Sequence, residues 1–237
     1  MNILKQGILG TSFLLLIACN SGDEAKNMED KNTTAETEQL VTEKPSATKT
    51  EKATLVGYQV GDALKSDFSL KNVDGEMVAM GDNAEAKGYV IVFTCNHCPY
   101  SIAYEDRLIE LDKKYKALGY PVIAINPNDP TIVPEDSYEQ MIARAKEKNF
   151  TFPYLFDDGQ KVYPEYGATK TPHVYVVNKT EAGNKIAYIG AIDDNKNEDE
   201  VTKNYLANAL DALVAGNEPE EAYTKAFGCS VKTAKKM

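Results

Sequence analysis

The sequence has no tryptophan, two histidines and four cysteines in 237 residues. Four cysteines are too few for a disulfide-dense scaffold, and with two histidines they cannot fill several zinc sites. Positive charge is also in deficit. Lys and Arg number 26 against 36 Asp and Glu, a formal net charge of −10. That balance excludes a general nucleic-acid binder, which needs a basic face to neutralise phosphates. No run of about 18 apolar residues exists, so no segment reads as a membrane-spanning helix. What remains is a chain long enough for one acidic α/β domain with an appended tail.

Residues 1–18 read as an export signal. Lys5 supplies a positive start, and residues 7–18 form a short apolar stretch ending in Leu16-Ile17-Ala18-Cys19. That ending resembles the bacterial lipobox, which implies cleavage before Cys19 and a diacylglyceryl group on its sulfur. The alternative is an ordinary secretory signal that leaves Cys19 a thiol. Asn20 follows rather than Asp, and by resemblance to proteobacterial lipoproteins this implies sorting to the outer membrane. The expectation is a protein of the bacterial cell envelope, periplasm-facing or at the surface, touching the membrane through its anchor only. Residues 19–54 contain no aromatic side chain and carry eight acidic residues against five lysines. They cannot bury enough apolar surface to offset chain entropy, which predicts a disordered tether. Residues 55–237 are the folded part, and no internal repeat is present.

Within that part, Phe68-Ser69-Leu70 and residues 77–80 flank Asp74-Gly75, a hairpin signal. The continuous apolar run at residues 89–93 predicts a central strand buried on both faces. Tyr104, Leu108, Leu111, Tyr115 and Leu118 recur at helical spacing, with Gly119 placed as a C-terminal cap. Residues 122–125 form a second buried strand. A helix follows at 136–148, with Tyr138, Met141, Ile142 and Ala145 on one side. Residues 174–177 and 185–190 read as a hairpin turning at 181–184. The last helix carries Val201, Tyr205, Ala209 and Leu213 and ends at Gly216. This order predicts an α/β sandwich with a mixed sheet, parallel in its first half and antiparallel in its second, plus an added N-terminal β-hairpin.

The sharpest chemical feature is Cys95-Asn96-His97-Cys98 at the end of the first buried strand, opening an amphipathic helix. A helix N-terminus points unpaired N–H groups and partial positive charge at a sulfur, lowering its pKa. A protonated His97 between the cysteines favours a Cys95 thiolate further. The expected Cys95 pKa is about 4–6.5. Two other readings compete. A lone pair of cysteines is half a zinc site, but no second pair completes a tetrahedron. An inert disulfide spanning two residues closes almost no loop and stabilises little. Redox chemistry is the reading that the strand-to-helix location favours.

Thr171-Pro172 directly precedes the strand at 174–177, where a proline signals a tight turn, often cis. Cys-x-x-Cys at the head of the first long helix, with Thr-Pro before a late strand, resembles the thioredoxin fold. The resemblance implies a cis Pro172 that faces the dithiol, with Thr171 and Pro172 holding the backbone of an incoming thiol or disulfide. Four further stretches sharpen it: Cys95 to Tyr100, Tyr104-Glu105-Asp106-Arg107-Leu108, Phe152 to Asp157, and Phe227-Gly228-Cys229-Ser230-Val231-Lys232. Together they resemble the peroxiredoxin-like redoxins, a thioredoxin-superfamily branch related to the alkyl hydroperoxide reductase and thiol-specific antioxidant proteins. Thr94 and Asn96-His97 stand where typical thioredoxins have Trp and Gly-Pro. Neither cysteine has the threonine that typical peroxiredoxins place three residues ahead of the peroxide-reactive one.

The resemblance implies a thiol–disulfide oxidoreductase in which Cys95 attacks a partner disulfide and Cys98 resolves it. Its partners are protein disulfides or dithiols, or low-molecular-weight thiols, and the reaction needs no metal or organic cofactor. A thiol peroxidase resolved by the neighbouring cysteine or by Cys229 is the alternative. A copper-binding module using Cys95, Cys98 and His173, or a redox sensor, is the non-enzyme reading. Cys229 reads either as a resolving thiol or as a small buried hydrophobe. His173 reads as a neighbour of the dithiol or a cap on the turn. Residues 193–198 echo a calcium loop, but the sixth position is Glu198 rather than glycine. That segment reads as a solvated turn.

Overall fold

The computed structural model describes residues 57–65 and 67–233. The export signal, Cys19 and the tether lie outside the described residues. Strands β1 (Ser69–Asn72) and β2 (Met77–Ala79) form the hairpin around Asp74-Gly75. Gly75 takes the positive φ of 95° that this turn requires. The apolar run is β3 (Gly88–Phe93), buried at every position. Helix α1 (Pro99–Lys116) leads into β4 (Val122–Asn126), which lies parallel to β3. After α2 (Tyr138–Lys148), the short β5 (Tyr154–Phe156) pairs parallel to β4 and antiparallel to β1. Helix α3 (Val162–Tyr166) and the two-residue β6 (Lys170–Thr171) follow. Strands β7 (His173–Thr180) and β8 (Gly183–Gly190) then form an antiparallel hairpin, β7 also pairing antiparallel to β3. Helix α4 (Tyr205–Val214) precedes β9 (Cys229–Ser230), which pairs with β6.

The seven-stranded sheet has the order β2-β1-β5-β4-β3-β7-β8, a mixed sheet between two layers. Alternation along β3 builds both cores. Val90 and Val92 face Tyr104, Leu108 and Tyr115 of α1, Met141 of α2 and Leu206 and Leu210 of α4. Tyr89, Ile91 and Phe93 face Phe68, Leu70, Met80 and, from α3, Val162 and Tyr166. Each such side chain contributes about 1.5–3 kcal/mol by leaving water. Among the described residues, no helix is long and apolar enough to cross a membrane.

Several local expectations need correction. Helix α1 ends at Lys116 and Leu118 is exposed in the turn. Gly119 still caps it: its N–H donates to Lys116 O and the Tyr120 N–H to Tyr115 O, with φ at 98°. Ile142 lies on the exposed side of α2. The β7–β8 strands run further than expected and leave only Glu181-Ala182 in the turn. Val201 is outside α4, because Asp194 accepts the N–H groups of Thr202 and Lys203 and holds that segment extended. In the same loop, Asp193 is engaged by Tyr104 and Arg107, an acid satisfied by protein donors.

Candidate active site

The dithiol lies in the five-residue connection from β3 to α1. Sheet pairing persists to its first residue, where the Thr94 N–H donates to Ile125 O at 2.9 Å. Cys98 occupies the N-cap of α1, with extended backbone (φ −73°, ψ 123°), and Pro99 takes the first helical position. Asn96 is clamped from two elements: its Nδ2 donates to Glu135 O at 2.8 Å, and its Oδ1 accepts from the Tyr154 hydroxyl at 3.0 Å.

A buried carboxylate organises the connection. Asp136 is fully buried. Its Oδ1 accepts the N–H of Asn96 at 2.7 Å and of His97 at 3.3 Å. Its Oδ2 accepts His97 Nδ1 at 2.6 Å and Asn128 Nδ2 at 2.7 Å. Sequence reasoning missed Asp136, which sits about forty residues beyond the cysteines in an irregular segment. Its only sequence signal was an acid in the turn preceding α2, which reads as an ordinary helix-start residue.

Thr171 is the meeting point of the sulfurs. The Cys95 thiol donates to Thr171 Oγ1 at 3.3 Å, and the protonated Cys98 thiol to Thr171 O at 3.2 Å. The Thr171-Pro172 peptide is cis. Cys229, on β9, is the register partner of Thr171, whose carbonyl oxygen Cys98 contacts. Cys95 and Cys98 are buried, at 2% and 0% exposure, whereas Cys229 is half-exposed. The reading of Cys229 as a buried hydrophobe is therefore corrected.

The site's electrostatics also reverse one expectation. The Cys98 pKa is lowered to about 4. The neighbouring Cys95 sulfur is the first cause, and Cys229 and the Ser101 N–H in the first turn of α1 add to it, outweighing burial. The open N-terminus of α1 supplies the physical rationale. Cys95 is raised, first by its interaction with the Cys98 sulfur, then by burial and by the Asp136 carboxylate. The directions favour a thiolate on Cys98 over one on Cys95, which was the sequence expectation. His97 does not reverse this. Its Nδ1–H points to Asp136, and the Cys95 sulfur lies 3.5 Å away on the same nitrogen.

Cys95, His97 and Asp136 place one donor atom each within 4.8 Å of one another, the spacing of a metal group. Both Asp136 oxygens are already engaged by N–H donors, so its chemistry is that of an orienting carboxylate. His173 begins β7 opposite Phe93, and its ring meets Tyr175 and the Thr169 N–H. Burial pushes its pKa down to about 4, keeping it neutral. Its Nδ1 accepts the Thr169 N–H across the turn that holds cis Pro172, the turn-capping reading of the two offered for it.

Residues 60–188 match the model of the AhpC/TSA family. A solved structure of an uncharacterized conserved protein from Geobacillus kaustophilus is similar, at 36% identity and a TM-score of 0.69, over 76% of this chain and 94% of that one. A hypothetical protein from Sinorhizobium meliloti matches at 27% identity and the same TM-score, over 76% and 97%. A curated protein from Halalkalibacterium halodurans, the thiol-disulfide oxidoreductase ResA, is 26% identical over 113 residues. That match spans 48% of this chain and 60% of the relative's length.

Proposed function

Because the chain belongs to the AhpC/TSA family, we propose that it is a thiol–disulfide oxidoreductase working through the Cys95/Cys98 couple. The observation that carries this reading is the placement of both sulfurs against Thr171, with Cys98 on the N-cap of α1. The Cys98 thiolate attacks one sulfur of a partner disulfide, and the partner's other sulfur departs as a thiolate. The Cys95 thiol gives its proton to that leaving group and attacks Cys98, forming Cys95–Cys98 and releasing the partner's second sulfur as a thiolate. The partner gains two electrons, the protein loses two, and the sequence runs equally in reverse. Thr171, beside cis Pro172, lies against both sulfurs, and Asp136 with His97 fixes the connection between them.

The partners this chemistry takes are protein disulfides and dithiols or small thiols. The export signal and Cys19 support a site of action outside the cytoplasm on a lipid anchor. The test is insulin reduction by dithiothreitol, followed as turbidity. Wild-type protein accelerates it, while Cys98→Ser and Cys95→Ser do not; equal rates with and without the protein would defeat the reading. A second reading, thiol peroxidase, draws on the family and on the low pKa of Cys98. It requires stoichiometric peroxide loss and a Cys98 sulfenic acid caught by a dimedone-type trap.

A further inference from the structure

After α4 the chain crosses the molecule and is tied down on both sides of the dithiol. On one side, Ile189 exchanges backbone hydrogen bonds with Ala222 and Thr224, and Thr224 Oγ1 accepts the Ala191 N–H. Phe227 then packs against Tyr100 and Tyr104 of α1. On the other side, Lys232 O accepts the Asp129 N–H, Lys232 N–H donates to Asn128 Oδ1, and Thr233 meets the Tyr163 hydroxyl. Cys229 stands between these anchors, paired with Thr171. Gly228 makes the close approach feasible: a Cβ there would stand 2.2 Å from Thr171 O. The strap thus lays its backbone along Thr171 and pairs a third, partly exposed cysteine with the residue that both buried sulfurs contact.

The geometry points to a three-sulfur relay in which Cys98 is shared between two alternative disulfides, an inner Cys95–Cys98 and an outer Cys98–Cys229, with the strap presenting Cys229 as a built-in exchange partner. This rests on the thiol–disulfide reading above and extends it to how a buried couple meets external thiols. In the inner step, deprotonated Cys229 attacks Cys98 of the Cys95–Cys98 disulfide. The Cys98–Cys229 bond forms, the Cys95–Cys98 bond breaks, and Cys95 leaves as a thiolate that takes up the proton. No electrons are gained or lost. In the outer step, one thiolate of an external dithiol attacks the half-exposed Cys229 sulfur and Cys98 departs. The dithiol's second sulfur then attacks the first, releasing Cys229 as a thiol and the external compound as a disulfide. The external dithiol loses two electrons and the protein gains them.

Exposure sets that direction of attack. Cys98 is fully buried, whereas Cys229 is partly exposed. A nucleophile arriving at the outer disulfide therefore meets Cys229 and expels Cys98.

The test oxidises the full chain and its variants with oxidised glutathione, then maps disulfides by acid quench, alkylation and peptide mass spectrometry. Cys95→Ser is expected to yield a Cys98–Cys229 linkage, and Cys98→Ser no linkage between Cys95 and Cys229. Cys95→Ala repeats the measurement should serine disturb the buried site. Cys229→Ser is expected to keep the Cys95–Cys98 disulfide while its reduction by dithiothreitol slows about tenfold or more. Only glutathione adducts in both Cys95 variants, or wild-type reduction rates in Cys229→Ser, would overturn the relay and leave the Cys95/Cys98 couple standing. Wild-type protein forming no internal disulfide at all would sink both.

Discussion

Replacing Asp136 by asparagine separates the two effects of that carboxylate. The side chain is fully buried and accepts four hydrogen bonds from Asn96, His97 and Asn128. Asparagine keeps the volume and one acceptor oxygen but turns a donor toward two other donors. Unsatisfied buried donors cost about 1–3 kcal/mol each, so a total loss of about 2–6 kcal/mol is expected. That is a large share of the roughly 5–15 kcal/mol that stabilises a domain. The second effect is electrostatic. A carboxylate oxygen of Asp136 lies within 4.8 Å of the Cys95 sulfur and opposes a charge there. At about 5 Å and an effective dielectric of about 20 to 80, like charges repel by about 1–3 kcal/mol. The assay is the pH dependence of iodoacetamide alkylation of Cys95 in a Cys98→Ser background, where the bond between the two sulfurs is gone. Adding Asp136→Asn should lower the alkylation midpoint by about one to two pH units. Urea unfolding of the same proteins reports the stability cost. An unchanged or raised midpoint in a folded double variant would refute the placement of negative charge against Cys95.

Three further outcomes are expected. With Cys98 ionised and Cys95 protonated at neutral pH, reduction takes up one proton for two electrons, so the potential should fall by about 30 mV per pH unit between about pH 5 and 8; a slope near 59 mV would mean both thiols are protonated. His173 is held to about 4 in the fold against 6.5 when free, so below pH 6.5 the unfolded chain binds its proton first. Stability should therefore drop by about 3 kcal/mol as pH falls from about 6.5 to 4, and His173→Phe should flatten that drop in urea titrations. Gly228→Ala forces a Cβ against Thr171 O at a φ of 143°, so the strap should lift and alkylation of Cys98 by iodoacetamide should accelerate; unchanged protection would show that the strap does not seal the dithiol.

The central fold was readable where patterns are long. Five consecutive apolar residues marked β3, and the spacing of Tyr104, Leu108 and Tyr115 marked the buried face of α1. The pair Cys95 and Cys98, and Thr171-Pro172 far along the chain, pointed to one site that the fold does bring together. Elements shorter than one period were not readable. Strand β5 has three residues and β6 and β9 two each, set by pairing partners rather than by their own composition. Val201 continued the α4 periodicity, yet side-chain acceptance by Asp194 overrode it. The reversal of charge between the two cysteines had the same origin. Local sequence placed both near a helix start, but the N-cap falls on Cys98, and a carboxylate from a distant turn lies against Cys95.

The central claim is a reversible dithiol–disulfide couple whose reduced form is stabilised by a thiolate on Cys98. Its most direct test is the reduction potential at pH 7, by equilibration of the full chain in glutathione buffers with thiols quantified after acid quench. A Cys98 thiolate held below the ordinary thiol range stabilises the reduced form. The account therefore predicts a potential clearly above the roughly −270 mV of thioredoxin. A value at or below about −270 mV, or thiols that do not cycle between the two states, would contradict it.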